Sequence, residues 1–161
     1  MLSALLETLR GRALSAPPFR WGCTFAGLPQ RQQRLVLRMP LLLGLAWGAL
    51  RLYSFRTVVR ALERLSGEPP SGEVLSPQEV TWAVDAVARR LLSRKPCLPM
   101  ALVALYLLRR RGHPAVLRLG VKRQADETVG AHAWVEDEDG RVLIGGLRDL
   151  SSYAPLPRFT D

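Results

Sequence analysis

Two textures divide the chain. Up to about residue 111 the apolar side chains recur at the three-to-four spacing of helices, and beyond it they alternate with polar ones at the spacing of strands. Met1 to Leu14 carries Leu2, Leu5, Leu6, Leu9 and Leu14 at helical spacing until Ala16-Pro17-Pro18 stops it and opens a loop through Trp21 and Phe25. Gln30 to Met39 resumes the helical pattern, and Pro40 is expected to kink or divide it. Leu41 to Leu50 is then wholly apolar or glycine. With Met39 and Pro40 it makes a run of about 12 residues, short of the ~20 that cross a bilayer, so no crossing is expected. A segment apolar all round is expected to be buried on most sides. The competing reading is a helix lying in a lipid interface, with Arg34, Arg38, Arg51 and Arg56 on anionic headgroups.

Ser54 is placed to cap a helix from Phe55 to Leu65, with Phe55, Val58, Val59, Leu62 and Leu65 as its apolar stripe. Ser66-Gly67-Glu68-Pro69-Pro70-Ser71-Gly72 breaks the pattern and divides a helical region, 1–66, from a core, 67–161. Ser76-Pro77-Gln78-Glu79 is a capping box with proline in the first helical position, and it opens a helix carrying Val80, Trp82, Ala83, Val84, Val87, Leu91 and Leu92. Another helix runs from about Cys97 to Arg111, closed by Gly112, with Arg109 to Arg111 at its negative end. Period two then takes over in Ala115 to Val121, Ala131 to Glu136 and Arg141 to Ile144, with a turn at Asp139-Gly140. Helices followed by a meander, without alternation of strand and helix, predict an α+β domain with an antiparallel sheet.

Composition narrows the chemistry. The chain has 161 residues, enough for one domain with a helical extension, and 48% of them are apolar, so it can build a core. Its formal net charge of +9 is carried almost entirely by arginine and favours anionic partners. The arginines are scattered through apolar helical stretches rather than gathered with aromatics, which argues against nucleic acid. Two cysteines, Cys23 and Cys97, imply no disulfide framework, and there is no C-x-x-C pair for zinc or thioredoxin-type chemistry and no glycine-rich phosphate loop. No cofactor and no metal are expected. The first residues lack the basic and apolar regions of a secretion signal, so the expected location is cytoplasmic.

Cys97 draws attention by its position. In Ser93-Arg94-Lys95-Pro96-Cys97-Leu98-Pro99-Met100 the prolines set the entry and the first turn of a helix. The sulfur therefore meets unpaired N–H groups beside Arg94 and Lys95, a setting that favours negative charge and suits a nucleophile. Most free cysteines are small core residues, and for Cys97 alone the two readings balance. His132 tips the balance. Alternation puts His132, Trp134 and Glu136 on one face of a strand, while the small Ala131 and Ala133 let another element approach. A Cys97 helix packed on the histidine face would bring imidazole to sulfur as general base and acid. Cys23 has no base near it in sequence and reads as incidental. His113 before Pro114 reads as a helix stop, and Trp82 and Trp134 read as core aromatics, with Trp134 able to wall a cleft.

The cysteine opening a helix and the later His-Ala-Trp-Val-Glu strand resemble the core of transglutaminase-like and papain-like cysteine enzymes. More narrowly, Cys97-Leu98-Pro99-Met100-Ala101-Leu102, Leu107-Leu108-Arg109-Arg110-Arg111-Gly112, Leu117-Arg118-Leu119-Gly120-Val121 and Ala131-His132-Ala133-Trp134-Val135-Glu136 resemble the lasso peptide biosynthesis B2 proteins, closely from about Leu75 to Pro157. That resemblance implies a leader peptidase using Cys97 and His132, which frees the core of a ribosomal precursor for a separate ATP-using cyclase. It also implies a preference for leaders with a penultimate threonine. With no winged-helix pattern ahead of the core, it implies a separate leader-binding B1 protein. The family's acidic third residue falls near Ile144-Gly145-Gly146, where no acid stands, so Asp149, a few residues on, is the candidate, while Glu136 lies poorly for the role. Two other readings are a transglutaminase-like acyltransferase using the same thiolate and a non-catalytic basic module on a membrane or peptide.

Overall fold

The computed structural model describes residues 27–66, 75–91, 96–124 and 127–157. The expected first helix, the loop with Trp21, Cys23 and Phe25, and the Arg94-Lys95 pair lie outside them. Four helices come first, α1 Gln30–Leu52, α2 Phe55–Leu65, α3 Pro77–Leu91 and α4 Cys97–Arg109. Strands β1 Val116–Arg123, β2 Val129–Glu136, β3 Val142–Ile144 and β4 Ala154–Pro155 follow, with a 3₁₀ turn at Leu150–Ser152 before the last. The sheet is antiparallel, in the order β3-β2-β1-β4, so the architecture is α+β. One compact unit runs Arg34–Asp161, with the sheet and α2 to α4 in it. In the other, Met1–Gln33, the Gln33 side-chain amide donates to the Leu28 carbonyl at 2.8 Å.

Helix α1 departs from expectation twice. Pro40 lies inside it without dividing it, because Leu35, Val36 and Met39 before the proline and Leu43 after it are all buried and hold both halves in place. Nor is the apolar run enclosed. Within it Leu41, Leu45 and Trp47 stand 51 to 65% exposed, so only one side of α1 joins the core. The helix spans 23 residues and is long and apolar enough to cross a membrane by length and composition. Counting the apolar run alone missed this because the helix continues through flanking turns on both sides.

The helix ends follow the local signals. Ser54 Oγ accepts from the Thr57 amide at 3.3 Å. In the capping box Glu79 Oε2 accepts from the Ser76 amide at 2.8 Å, and Ser76 Oγ accepts from the Glu79 amide at 3.2 Å. Ser76→Ala should therefore lower stability by about 1 kcal/mol, read as a shift of the urea midpoint. At its far end α4 closes through the His113 amide, which donates to Leu108 O at 3.0 Å, while His113 Nε2 donates to Leu75 O at 2.7 Å across 38 residues.

Helix α4 is the centre of the core. Met100 to Leu105, Leu107 and Leu108 are all buried, and α4 packs against α2, α3, β1 and β2. Ala133 and Val135 of β2 are buried beneath that packing, at 2% and 0% exposure. Helix α4 thus covers the face opposite His132, rather than the histidine face expected of it, because Ala133, Val135 and the neighbouring Leu117 make the apolar surface a helix can bury. Leu108, fully enclosed, is a sensitive test of this core: Leu108→Ala should cost about 2–5 kcal/mol in equilibrium unfolding. The short β4, which pairs with β1 only at Gly120 and Val121, had no pattern in the sequence, since two residues and a proline cannot show period two.

Candidate active site

Cys97 is the first residue of α4. Pro96 precedes it in an extended conformation, φ −74° and ψ 100°, and its carbonyl accepts the Met100 amide at 3.2 Å. Pro99 has no N–H, so the helix start presents two amides, those of Cys97 and Leu98, with no acceptor among the described residues. Two prolines thus leave donors beside the sulfur while fixing the turn that carries it.

His132 comes from β2, where it stands opposite Gly120 of β1. Its ring is held on three sides. Trp134 stacks on it with centroids 6.1 Å apart and planes 15° apart, and Tyr153 lies tilted at 5.6 Å. Its Nε2 donates to the Gly145 carbonyl at 2.6 Å. Trp134 is fixed in turn, its indole N–H donating to Glu136 Oε1 at 2.7 Å while Arg118 Nε donates to Glu136 Oε2 at 2.8 Å. Glu136 therefore supports the wall on which the imidazole rests, rather than the imidazole itself. That wall also needs Gly120, since a Cβ there would stand 2.9 Å from the Trp134 ring and 3.0 Å from Tyr153 Cβ.

Cys97 and His132 line one cleft of about 730 Å3 between α3, the start of α4 and the β2-β3 end of the sheet. They share its wall without a direct hydrogen bond. Met100, Ala101 and Ala133 form apolar lining, Thr81, Gln78 and Asp85 add polar groups from α3, and Trp82 stands 42% exposed. Trp82, expected in the core, is instead part of this cleft, because on α3 it sits on the side opposite Val80, Ala83, Val84 and Val87. Among the described residues no three His, Cys, Asp or Glu side chains gather as a metal site.

Asp149 is elsewhere engaged. It lies exposed just before the 3₁₀ turn, where Lys122 Nζ donates to its Oδ2 at 2.5 Å. That hydrogen bond, with a smaller one from its own backbone and a still smaller influence of His132, holds the Asp149 carboxyl below the usual carboxylate range, and the Lys122 ammonium is correspondingly raised. Asp149 makes no hydrogen bond to the imidazole. The group that does, the Gly145 main-chain carbonyl, went unrecognised in the sequence. Its one trace there was the Gly145-Gly146 pair where an acid was expected.

A family model for the transglutaminase-like superfamily matches residues 39–158. The chain belongs to the transglutaminase-like superfamily. The superfamily covers cysteine peptidases and acyltransferases, which typically work through Cys, His and Asp. The matched span of this transglutaminase-like chain holds α2 to α4 and the whole sheet, and with them both Cys97 and His132. No curated protein and no solved structure matches the chain in the comparisons made.

Proposed function

We propose that this transglutaminase-like protein is a cysteine peptidase that removes the leader from a lasso peptide precursor, delivered by a separate leader-binding B1 protein. The observation that carries the reading is the meeting of Cys97, at a helix start, and His132, on a strand, in one cleft. Specificity within the superfamily rests on Cys97-Leu98-Pro99-Met100 combined with Ala131-His132-Ala133-Trp134-Val135-Glu136.

The chemistry follows from these groups. Cys97 Sγ attacks the carbonyl carbon of the scissile peptide and forms a C–S bond as the negative charge moves to the oxygen. The Cys97 and Leu98 amides are the donors at hand for that oxyanion. Protonated His132 delivers its proton to the leaving nitrogen as the C–N bond breaks, releasing the core peptide with a free amino terminus. His132 then takes a proton from water, whose oxygen attacks the thioester and frees the leader as a carboxylate. With Nε2 committed to Gly145, the second ring nitrogen carries this proton traffic. The freed amino terminus is the group that a separate ATP-using cyclase would join to an acidic side chain.

Incubating a candidate precursor with the protein and its B1 partner, followed by mass spectrometry, tests the reading. Separate leader and core masses, differing from the precursor by one water, are expected. A product in which an added amine has replaced water would instead identify an acyltransferase, and no change in the precursor would remove the peptidase reading.

A further inference from the structure

We infer that the Gly145 main-chain carbonyl, rather than a carboxylate, is the group that orients His132 for catalysis. The inference rests on the proposed use of His132 as acid and base, and it takes its argument from three features of the β2-β3 corner.

The first is the bond itself. A carbonyl oxygen carries no proton, so a 2.6 Å contact from His132 Nε2 to Gly145 O requires the proton to be on Nε2. The neutral ring then keeps a lone pair on Nδ1, the form in which it can accept a proton from a thiol or water. Fixing this tautomer and the ring direction is half of what an acidic third residue does in a Cys-His-Asp site. The other half, stabilising the imidazolium with a full negative charge, a carbonyl dipole does only in part.

The second is that the corner is built to hold the carbonyl there. Strand β3 pairs with β2 only through Val135↔Ile144 and Glu136↔Val142, with a register shift between them. The chain then leaves the ladder at Gly145, whose φ is +83°. That backbone conformation is strained for any residue with a side chain. A Cβ at Gly145 would also lie 2.8 Å from the Ala133 carbonyl oxygen and 3.0 Å from Trp134 Cα. Backbone cannot give way as a flexible side chain would. Glycine at this position therefore both turns the strand away and lets it come close enough to β2 for its carbonyl to meet the ring.

The third is that the nearby carboxylates have other partners. Asp149 is bonded to Lys122, Glu136 divides its oxygens between Trp134 and Arg118, and Asp85, on the α3 side of the cleft, is paired with Arg89 at 2.6 Å.

The test is nitrogen NMR of the histidine rings in 15N-labelled full-length protein, measured without substrate at a pH where His132 is neutral. The expected wild-type signature is a protonated, pyrrole-like Nε2 and a pyridine-like Nδ1, and Asp149→Asn should retain it. Gly145→Ala should give mixed tautomers and, in the precursor assay, a kcat lower by about 10²-fold, the scale of an ångström-sized misplacement, with KM within about twofold. A wild-type ring protonated on Nδ1, an Asp149→Asn variant that loses the Nε2–H signature, or a Gly145→Ala variant that keeps it would each overturn the inference. If Gly145→Ala does not fold, the wild-type and Asp149→Asn spectra decide. A protein with the expected spectrum that cuts no precursor refutes the peptidase reading alone, since the ring signature is independent of turnover.

Discussion

Cys97→Ala should abolish leader removal, lowering the rate by on the order of 10⁴-fold or more, while Cys23→Ala leaves it largely intact. The size of the effect comes from the mechanism. Alanine keeps the start of α4 and its amides but removes the only sulfur nucleophile among the described residues of the cleft, so residual turnover would have to come from unactivated water. The volume change is small at a half-exposed position, so the fold should persist and a normal melting curve should accompany the loss. Mass spectrometry of the precursor incubated with each variant and the B1 partner is the measurement. Equal cleavage by wild type and Cys97→Ala would end the peptidase reading. Because the chain has two cysteines, Cys23→Ala also makes alkylation specific: iodoacetamide should block turnover in that background in step with modification of Cys97.

His132→Ala should lower the rate by about 10²–10⁴-fold, the range associated with a positioned general acid and base. The loss should fall mainly on kcat, because the imidazole acts on the reacting proton and most of the cleft wall remains. It should also slow alkylation of Cys97, which needs no leaving amine, and so separate activation of the sulfur from protonation of the product. A variant that alkylates at the wild-type rate yet fails to cut would confine the role of His132 to the leaving group. One with normal cutting would remove His132 from the mechanism. The stacking of His132 against Trp134 and Tyr153 means that some stability is lost as well, so the melting midpoint should be read beside the rate.

The legible parts of this protein share a cause. Ser54, the Ser76 to Glu79 box and the closure of α4 near Gly112 work through neighbours three to five residues away, and their signals are complete within a short window. The alternation in β1 and β2 is equally local. Other features were hidden because distant partners decide them. Whether α1 is enclosed depends on what packs against it, so an apolar run that suggested burial is exposed along Leu41, Leu45 and Trp47. Trp82 looked like core because side-chain type says nothing about which side of α3 is covered.

Local spacing and side-chain type were enough to set the α+β order of elements, the start of a helix at Cys97 and a strand through His132. The fold brought the two onto one cleft, paired Asp149 with Lys122 and turned a glycine carbonyl toward the ring. The physical reason is that helix and strand propensities act over a few bonds, whereas the meeting of residues 97, 132 and 145 depends on strand register and on how α4 packs on β2. A main-chain carbonyl is common to every residue, so its use at Gly145 could leave no mark in the sequence beyond the absence of a side chain.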